Sequence, residues 1–348
     1  MQVSKTSVDR YRFYLRHLLI WVGENLFGEI ALIRPTFPAY VASLPGKDGK
    51  ESLATETQKK IIDNSKRFLL WAKTNYPSEF YKLPLTFIES LHPPRSPEVH
   101  KDHEYVSLDE VSRLAALQTE EGDLAMMRDK AAAAMLFLSG MRASAFTTMP
   151  IQAVDLANLS IRQWPELGVK TKNGKIATTY LLPIPGLLKV VSTWDSLVRS
   201  HLAATERWYT PIEHCWGDQS LSSKEAGKNR HQAVDKRLKI LFSLAGLPYK
   251  SAHKFRHGHA VYGLQHAGTI ADYKAVSMNL MHNDIKITDS IYAPILSNEV
   301  QSRISRLTDN QESHPESKLE AYLNQLSKGE FAKAVVIIGE RMMSERGS

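Results

Sequence analysis

The sequence predicts a mainly α-helical protein of two domains, with one small antiparallel β-sheet in the second. Three observations carry this. Apolar residues recur at helical spacing through most of the chain. A proline-rich, apolar-poor stretch at 91–104, LHPPRSPEVHKDHE, interrupts that pattern. One run, at 159–183, is instead β-prone and contains the turn dipeptide Asn173-Gly174.

The chain has 348 residues, more than one average domain of roughly 100–200 residues. An apolar share of 43% and a charged share of 23% are those of a folded globular protein and exclude a mostly disordered chain. A single cysteine, Cys215, excludes an internal disulfide framework and a cysteine-rich zinc site. The formal charge of +7 suits a polyanionic partner. The N-terminus sets charges inside its first apolar stretch, unlike a signal peptide. No apolar run approaches the ~18 residues of a membrane span. The expectation is a soluble, cytoplasmic protein with no membrane partner.

The elements follow in order. Over residues 7–27, Tyr11, Tyr14, Leu15, Leu18, Leu19 and Val22 mark the apolar side of a helix, with Ser7 as its cap. Pro35 and Pro38 suit the start of a second helix. Residues 54–77 form a longer amphipathic helix. Ile61, Ile62, Phe68, Leu69 and Trp71 make its apolar side, and Lys59, Lys60, Lys66, Arg67 and Lys73 its basic one. Residues 1–90 therefore read as a helical bundle and 91–104 as a linker. Ser107 and Glu110 then form a capping box that opens the second domain, 105–300. That domain is helical except for the hairpin or three-stranded meander at 159–183. Residues 301–348 form a tail with amphipathic helices.

Chemistry concentrates in SAHKFRHGHAVYGLQHAG, where His253, Arg256, His257, His259 and His266 lie close together. The spacing matches no zinc signature, and Arg256 would repel a cation. An oxyanion site fits better: arginine forks onto phosphate oxygens, and histidine exchanges a proton near neutral pH. His253 and Arg256, three apart on a helix, project to one side. Upstream, an apolar helix ends at Ser139-Gly140, just before Arg142 and Ser144. Downstream lie His282 and Tyr292.

These pieces, in this order, resemble the tyrosine recombinase (phage integrase) family. Gly140-Met141-Arg142-Ala143-Ser144 matches its first arginine motif. His253-Lys254-Phe255-Arg256-His257 matches its His-x-x-Arg-His motif. Met281-His282 followed by Tyr292 matches its last, with Met281 where glycine is usual. Ala145 stands where an acidic residue is common. The resemblance implies a two-domain DNA clamp: a helical SAM-like core-binding domain followed by the recombinase catalytic domain. It implies double-stranded DNA with inverted half-sites as substrate and a homotetramer on synapsed DNA. An accessory DNA-bending or directionality protein is a further partner of such enzymes, and the C-terminal helices often dock on a neighbouring protomer. The basic face of Lys59, Lys60, Lys66, Arg67 and Lys73 becomes a candidate phosphate-contacting surface.

The residues suit that chemistry. A phosphodiester is anionic and has a poor leaving group, so cleavage needs charge neutralisation, a nucleophile and an acid. Arg142 and Arg256 can clamp the non-bridging oxygens, and Tyr292 can attack phosphorus. His253 can exchange a proton with the tyrosine, and His282 can hydrogen-bond the phosphate. The resemblance implies a lysine of the hairpin that protonates the departing 5′ oxygen: the family position just before the tight turn favours Lys172, with Lys175 and Lys170 as alternatives. The covalent link conserves the bond energy, so no metal, ATP or other cofactor is required. Two other activities fit the same constellation: DNA relaxation by a type IB topoisomerase, and DNA binding by an architectural factor that no longer cuts. Trp164, Trp194, Trp208 and Trp216 read as packing residues rather than base-stacking platforms.

Overall fold

The computed structural model describes residues 5–46, 51–93, 104–215, 218–222, 224, 227 and 229–281. The chain divides into two compact units, Met1–Lys101 and Asp102–Ser348. The expected linker core at 94–103, His282, Tyr292 and the tail at 301–348 lie outside the described residues.

The first unit holds α1 (Lys5–Val22), α2 (Phe37–Ala42), α3 (Thr55–Asn75), α4 (Pro77–Phe80) and α5 (Leu85–Ser90). In α3, Gln58, Ile61, Ile62, Ser65, Leu69 and Ala72 are buried, a single stripe at helical period. It packs against Leu18, Trp21, Val22, Phe37 and Val41. The expected stripes shift slightly. Tyr11, Leu19 and Trp71 are exposed, whereas Trp21 is buried and its indole N–H donates to the Pro35 carbonyl at 2.8 Å. Helix α1 already includes Lys5, so Ser7 lies within it rather than at its cap.

The second unit is built around α7 (Leu124–Ser139), which follows α6 (Leu108–Ala116). Every residue from Ala131 to Ser139 is buried. A segment buried on every side must be surrounded, and α7 is packed by α6 and by α9 (Pro185–His201), α10 (Arg230–Leu244) and α11 (Ala252–Gln265). The capping box forms as expected: the Ser107 hydroxyl accepts the Glu110 N–H and the Glu110 carboxylate accepts the Ser107 N–H. Lys250 then ion-pairs with the same carboxylate at 2.6 Å. Helix α7 ends where the sequence places its stop, on Gly140 at φ 59°, the left-handed cap that glycine adopts without strain. Short α8 (Ala143–Thr148) follows, with Arg142 at its N-cap position.

The meander is present. Strands β1 (Val154–Asp155), β2 (Ser160–Gln163) and β3 (Ala177–Tyr180) pair antiparallel in that order, with Ile161 opposite Val154 and Thr179. Asn173 and Gly174 both have positive φ, as the turn dipeptide requires. The turn stands clear of the paired strands, so residues 164–176 form a long connection with short helical turns at Pro165–Leu167 and Lys172–Gly174. The expectation of one sheet in an otherwise helical domain needs correction. Strands β4 (Ile212–Cys215) and β5 (Asp218–Leu221) form a second, two-stranded sheet. Trp194 and Trp208 are fully buried, with indole N–H groups bonded to the Trp208 carbonyl and to Asp195 at 2.9 Å each. Helix α12 (Ile270–Asn279) closes the described part, capped by Thr269 and Asp272.

Candidate active site

Helix α11 carries His253 and Arg256. Its first N–H, that of Ala252, is accepted by Asp235 of α10 at 3.1 Å, and the carbonyl of Lys254 accepts the Val106 N–H at 3.0 Å. This last contact is possible because residue 258 is glycine. A Cβ there would lie 1.9 Å from the Val106 carbonyl oxygen.

Arg256 is almost fully buried, at 3% exposure. A buried guanidinium must be hydrogen-bonded, and its partners locate the site. One Nη donates to the Gly140 carbonyl at 2.7 Å, and the other to the Leu280 carbonyl. The first carbonyl belongs to the segment of Arg142. The second is two residues before His282. Arg256 thus joins the first two sequence motifs, and the residue just before the third, through its own hydrogen bonds.

Arg142 is partly buried, and among the described residues no hydrogen bond or ion pair engages its guanidinium. Burial lowers its pKa from the usual arginine value. His253 is exposed at its outer edge, yet its ring is packed closely enough that loss of solvation is the largest effect lowering its pKa. The charges of Arg256, Arg142 and Lys254 lower it further. His253 is therefore neutral at pH 7 and able to accept a proton. Its ring meets that of His257 edge-on, with centroids 4.6 Å apart.

His259 is buried and packs beneath Gly140. Its Nδ1 bonds the Phe137 carbonyl at 2.9 Å and its Nε2 faces the Asn279 side-chain amide at 3.3 Å. Burial pushes its pKa down to about 4. Ala145, which stands where an acidic residue is common, is buried in the core. Met281 has φ 54°, in the left-handed region that favours glycine.

The three hairpin lysines are spread along the connection. Lys172 and Lys175 flank the turn, and Lys172 is exposed. The Lys170 N–H donates to the Thr148 hydroxyl of α8 at 2.8 Å, which draws this end of the connection towards Arg142's helix. There Lys170 lines a cavity of about 720 Å³ together with Ser144, Thr148, Arg207, Arg230 and His231. Arg207 and Arg230 are held by the Thr148 and Tyr209 carbonyls. Burial lowers the Arg230 pKa to about 10, which leaves it charged at neutral pH. Neither arginine is marked in the sequence by any motif.

On α3, the basic residues divide. Lys66 donates to the Glu89 carbonyl at 2.8 Å, and Lys73 to those of Phe80 and Leu83 at 3.1 and 2.6 Å. Both tie down the chain that follows. Lys59, Lys60 and Arg67 are exposed, with Lys60 paired to Glu56 at 3.3 Å. Among the described residues, no three His, Cys, Asp or Glu side chains gather as a metal site requires, and no helix is long and apolar enough to cross a membrane.

The phage integrase family sequence model matches residues 104–299. The chain belongs to the phage integrase family. Solved structures of similar fold include a lambda integrase(75-356) dimer bound to a COC′ core site. It is 13% identical, with 83% of this chain and 89% of that chain covered and a TM-score of 0.52. A lambda integrase tetramer bound to a Holliday junction is 14% identical, with 83% and 72% covered and a TM-score of 0.52. XerH site-specific recombinase bound to difH substrate is 15% identical, with 85% and 80% covered and a TM-score of 0.50. No curated protein matches the sequence.

Proposed function

We propose that this member of the family cuts and rejoins DNA strands through a covalent 3′-phosphotyrosine link to Tyr292. The observation that supports this is Arg256, whose hydrogen bonds to the Gly140 and Leu280 carbonyls tie helix α11 to the segment that leads into Arg142 and to the end of α12. Arg142 presents its guanidinium to a non-bridging oxygen, and Arg256 adds its charge from below. Two positive charges in a partly dry site, that of Arg256 held in place by its hydrogen bonds, stabilise the extra negative charge of the pentacoordinate transition state. Neutral His253 takes the proton from the Tyr292 hydroxyl as the oxygen–phosphorus bond forms. An arriving phosphate raises the His253 pKa and helps it hold that proton. The 5′ oxygen leaves with a proton from a lysine of residues 164–176. We assign Lys172, with Lys175 and Lys170 as the alternatives. Rejoining is the reverse reaction with a second 5′ hydroxyl, and needs no metal or ATP.

The basic cavity of Lys170, Arg207, Arg230 and His231 supports a DNA backbone path beside Arg142. In the first unit, Lys59, Lys60 and Arg67 are the residues of the basic face left for phosphate contact. Lambda integrase has been captured as a dimer on a core site and as a tetramer on a Holliday junction. We infer inverted half-sites, a synaptic homotetramer and integration or excision of a mobile element here. The polarity of cleavage tests the chemistry. After SDS and protease treatment, cut strands should carry 5′ hydroxyls that accept a kinase label and 3′ ends that resist exonuclease. Blocked 5′ ends would overturn the assignment.

A further inference from the structure

Asn279 makes an unusual set of contacts. Its side-chain Oδ1 accepts the Tyr180 N–H at 2.7 Å, and its Nδ2 donates to the Tyr180 carbonyl at 2.9 Å. One amide group thus satisfies both backbone polar groups of a single β3 residue, as a neighbouring strand would. The other Nδ2 proton points at His259 Nε2, 3.3 Å away. The backbone carbonyl of Asn279 accepts the Thr179 hydroxyl at 3.4 Å. The end of α12 is therefore latched to β3 and α11 through one side chain.

His259 sets the direction of that latch. The Phe137 carbonyl accepts from Nδ1, which fixes the proton there and leaves Nε2 with a lone pair for Asn279. The groups around His259 are the Phe137 and Leu138 carbonyls of α7, Arg256 of its own helix, and Asn279 of α12. Arg256 is the charged group acting on it among the described residues, and β3 brings it none.

The next residue shows what the latch controls. The Leu280 carbonyl is one of the two that hold the Arg256 guanidinium, and Met281 beyond it is in the left-handed region. A strained residue keeps its conformation only where its surroundings impose it. The Met281 N–H donates to the Met278 carbonyl at 2.7 Å and the Leu280 N–H to that of Val276 at 3.1 Å, while Asn279 anchors the residue before Leu280 and Arg256 binds the Leu280 carbonyl itself.

We propose that Asn279, oriented by His259, is a positioning residue for DNA cleavage: it fixes the Leu280 carbonyl, and through it the Arg256 guanidinium, against the sheet that carries the lysine connection. It touches neither DNA nor the reacting atoms. The inference rests on the cleavage chemistry proposed above.

Three full-length variants test it, with SDS-trapped adduct on nicked duplexes and DNA affinity measured in parallel. Asn279→Ala should slow adduct formation at least tenfold and change DNA affinity less than twofold, while the Tyr180 amide loses protection from hydrogen exchange. His259→Gln offers an oxygen that can still accept from Asn279, and should retain at least fivefold more rate than His259→Leu. Asn279→Asp supplies a signature that a merely structural role would not give. Its carboxylate opposes the Tyr180 carbonyl and the His259 lone pair unless a proton lies between them. Its rate, relative to wild type, should fall by at least fivefold as pH rises from 5.5 to 8. Wild-type rates for Asn279→Ala, or an Asn279→Asp profile parallel to wild type, would overturn the inference alone. Absence of adduct from the wild-type protein would overturn the cleavage chemistry, and this inference with it.

Discussion

Gly258→Ala sets two opposed effects against each other on the helix that carries the site. On helix propensity alone, alanine in mid-helix stabilises by about 1 kcal/mol. The position forbids that gain. The new Cβ lies 1.9 Å from the Val106 oxygen and 3.0 Å from the Phe137 ring. Restoring an ordinary separation of 3.4 Å moves residues 104–106 or α11 by about 1.5 Å. That displacement breaks the 3.0 Å hydrogen bond from the Val106 N–H to Lys254, worth about 1 kcal/mol. It also disturbs Val106 and Phe137, both fully buried, and such overpacking costs about 1–3 kcal/mol. The net expectation is a loss of roughly 1–3 kcal/mol. At roughly 2–4 °C per kcal/mol for a unit of this size, the second unit should melt about 2–12 °C lower. Calorimetry of the full chain measures this, and hydrogen exchange should show the loss centred on α11. An unchanged or higher melting temperature would refute the close approach of α11 to Val106 and the placement of His253 and Arg256 derived from it.

Other outcomes follow from the same geometry. Arg142→Ala should leave the melting temperature within about 1 °C, since no described residue depends on its guanidinium, and should slow adduct formation by roughly 10²–10³ or more. A marked loss of stability would assign Arg142 a structural role instead. His253 has a lowered pKa in the free protein, so its neutral form persists below pH 6.5, and at subsaturating DNA, where the profile reports the free protein, the acid limb should lie below that value. His253→Gln should lower the rate and remove the limb; a limb that survives belongs to another group. His259 titrates near pH 4 folded against an ordinary 6.5, so the unfolded chain binds the extra proton between those values. Stability should therefore fall on acidification, with about 2 kcal/mol lost from this residue between pH 7 and pH 5. His259→Gln should flatten that slope in denaturant titrations at the two pH values; an unaltered slope would contradict the burial.

What could be read in the sequence was local or carried by several residues in fixed order. The capping box of Ser107 and Glu110 needs three residues of context and forms as expected. The stop at Gly140 and the turn at Asn173-Gly174 depend on φ values that glycine and asparagine accept. The site motifs are short runs whose chemistry is visible in the residue types. The rest needed the third dimension. Lys66 and Lys73 resemble their exposed neighbours in the sequence, and only the return of residues 80–91 past α3 supplies the carbonyls that hold them. Trp71 and Leu19 fit an apolar stripe by spacing, but each lies just past the edge of the buried one. Strands β4 and β5 are four residues each, with charged and polar side chains and little alternation, so their pairing leaves almost no periodic signal. Asn279 carries no sequence signal and His259 stands out only as one of a histidine cluster, and their shared role exists only once α12 returns to α11 and β3. Gly258 looks like any helix glycine until Val106 is placed against it.

The central claim is a covalent link between Tyr292 and the 3′ phosphate of a cut strand. Nicked duplexes from DNA flanking the gene, incubated with the protein in chelator, stopped with SDS and resolved by electrophoresis, test it most directly. A slower-migrating, protease-sensitive adduct that Tyr292→Phe abolishes without loss of DNA binding is the predicted result. An adduct that survives Tyr292→Phe, or tight binding with no adduct on any duplex, would contradict it.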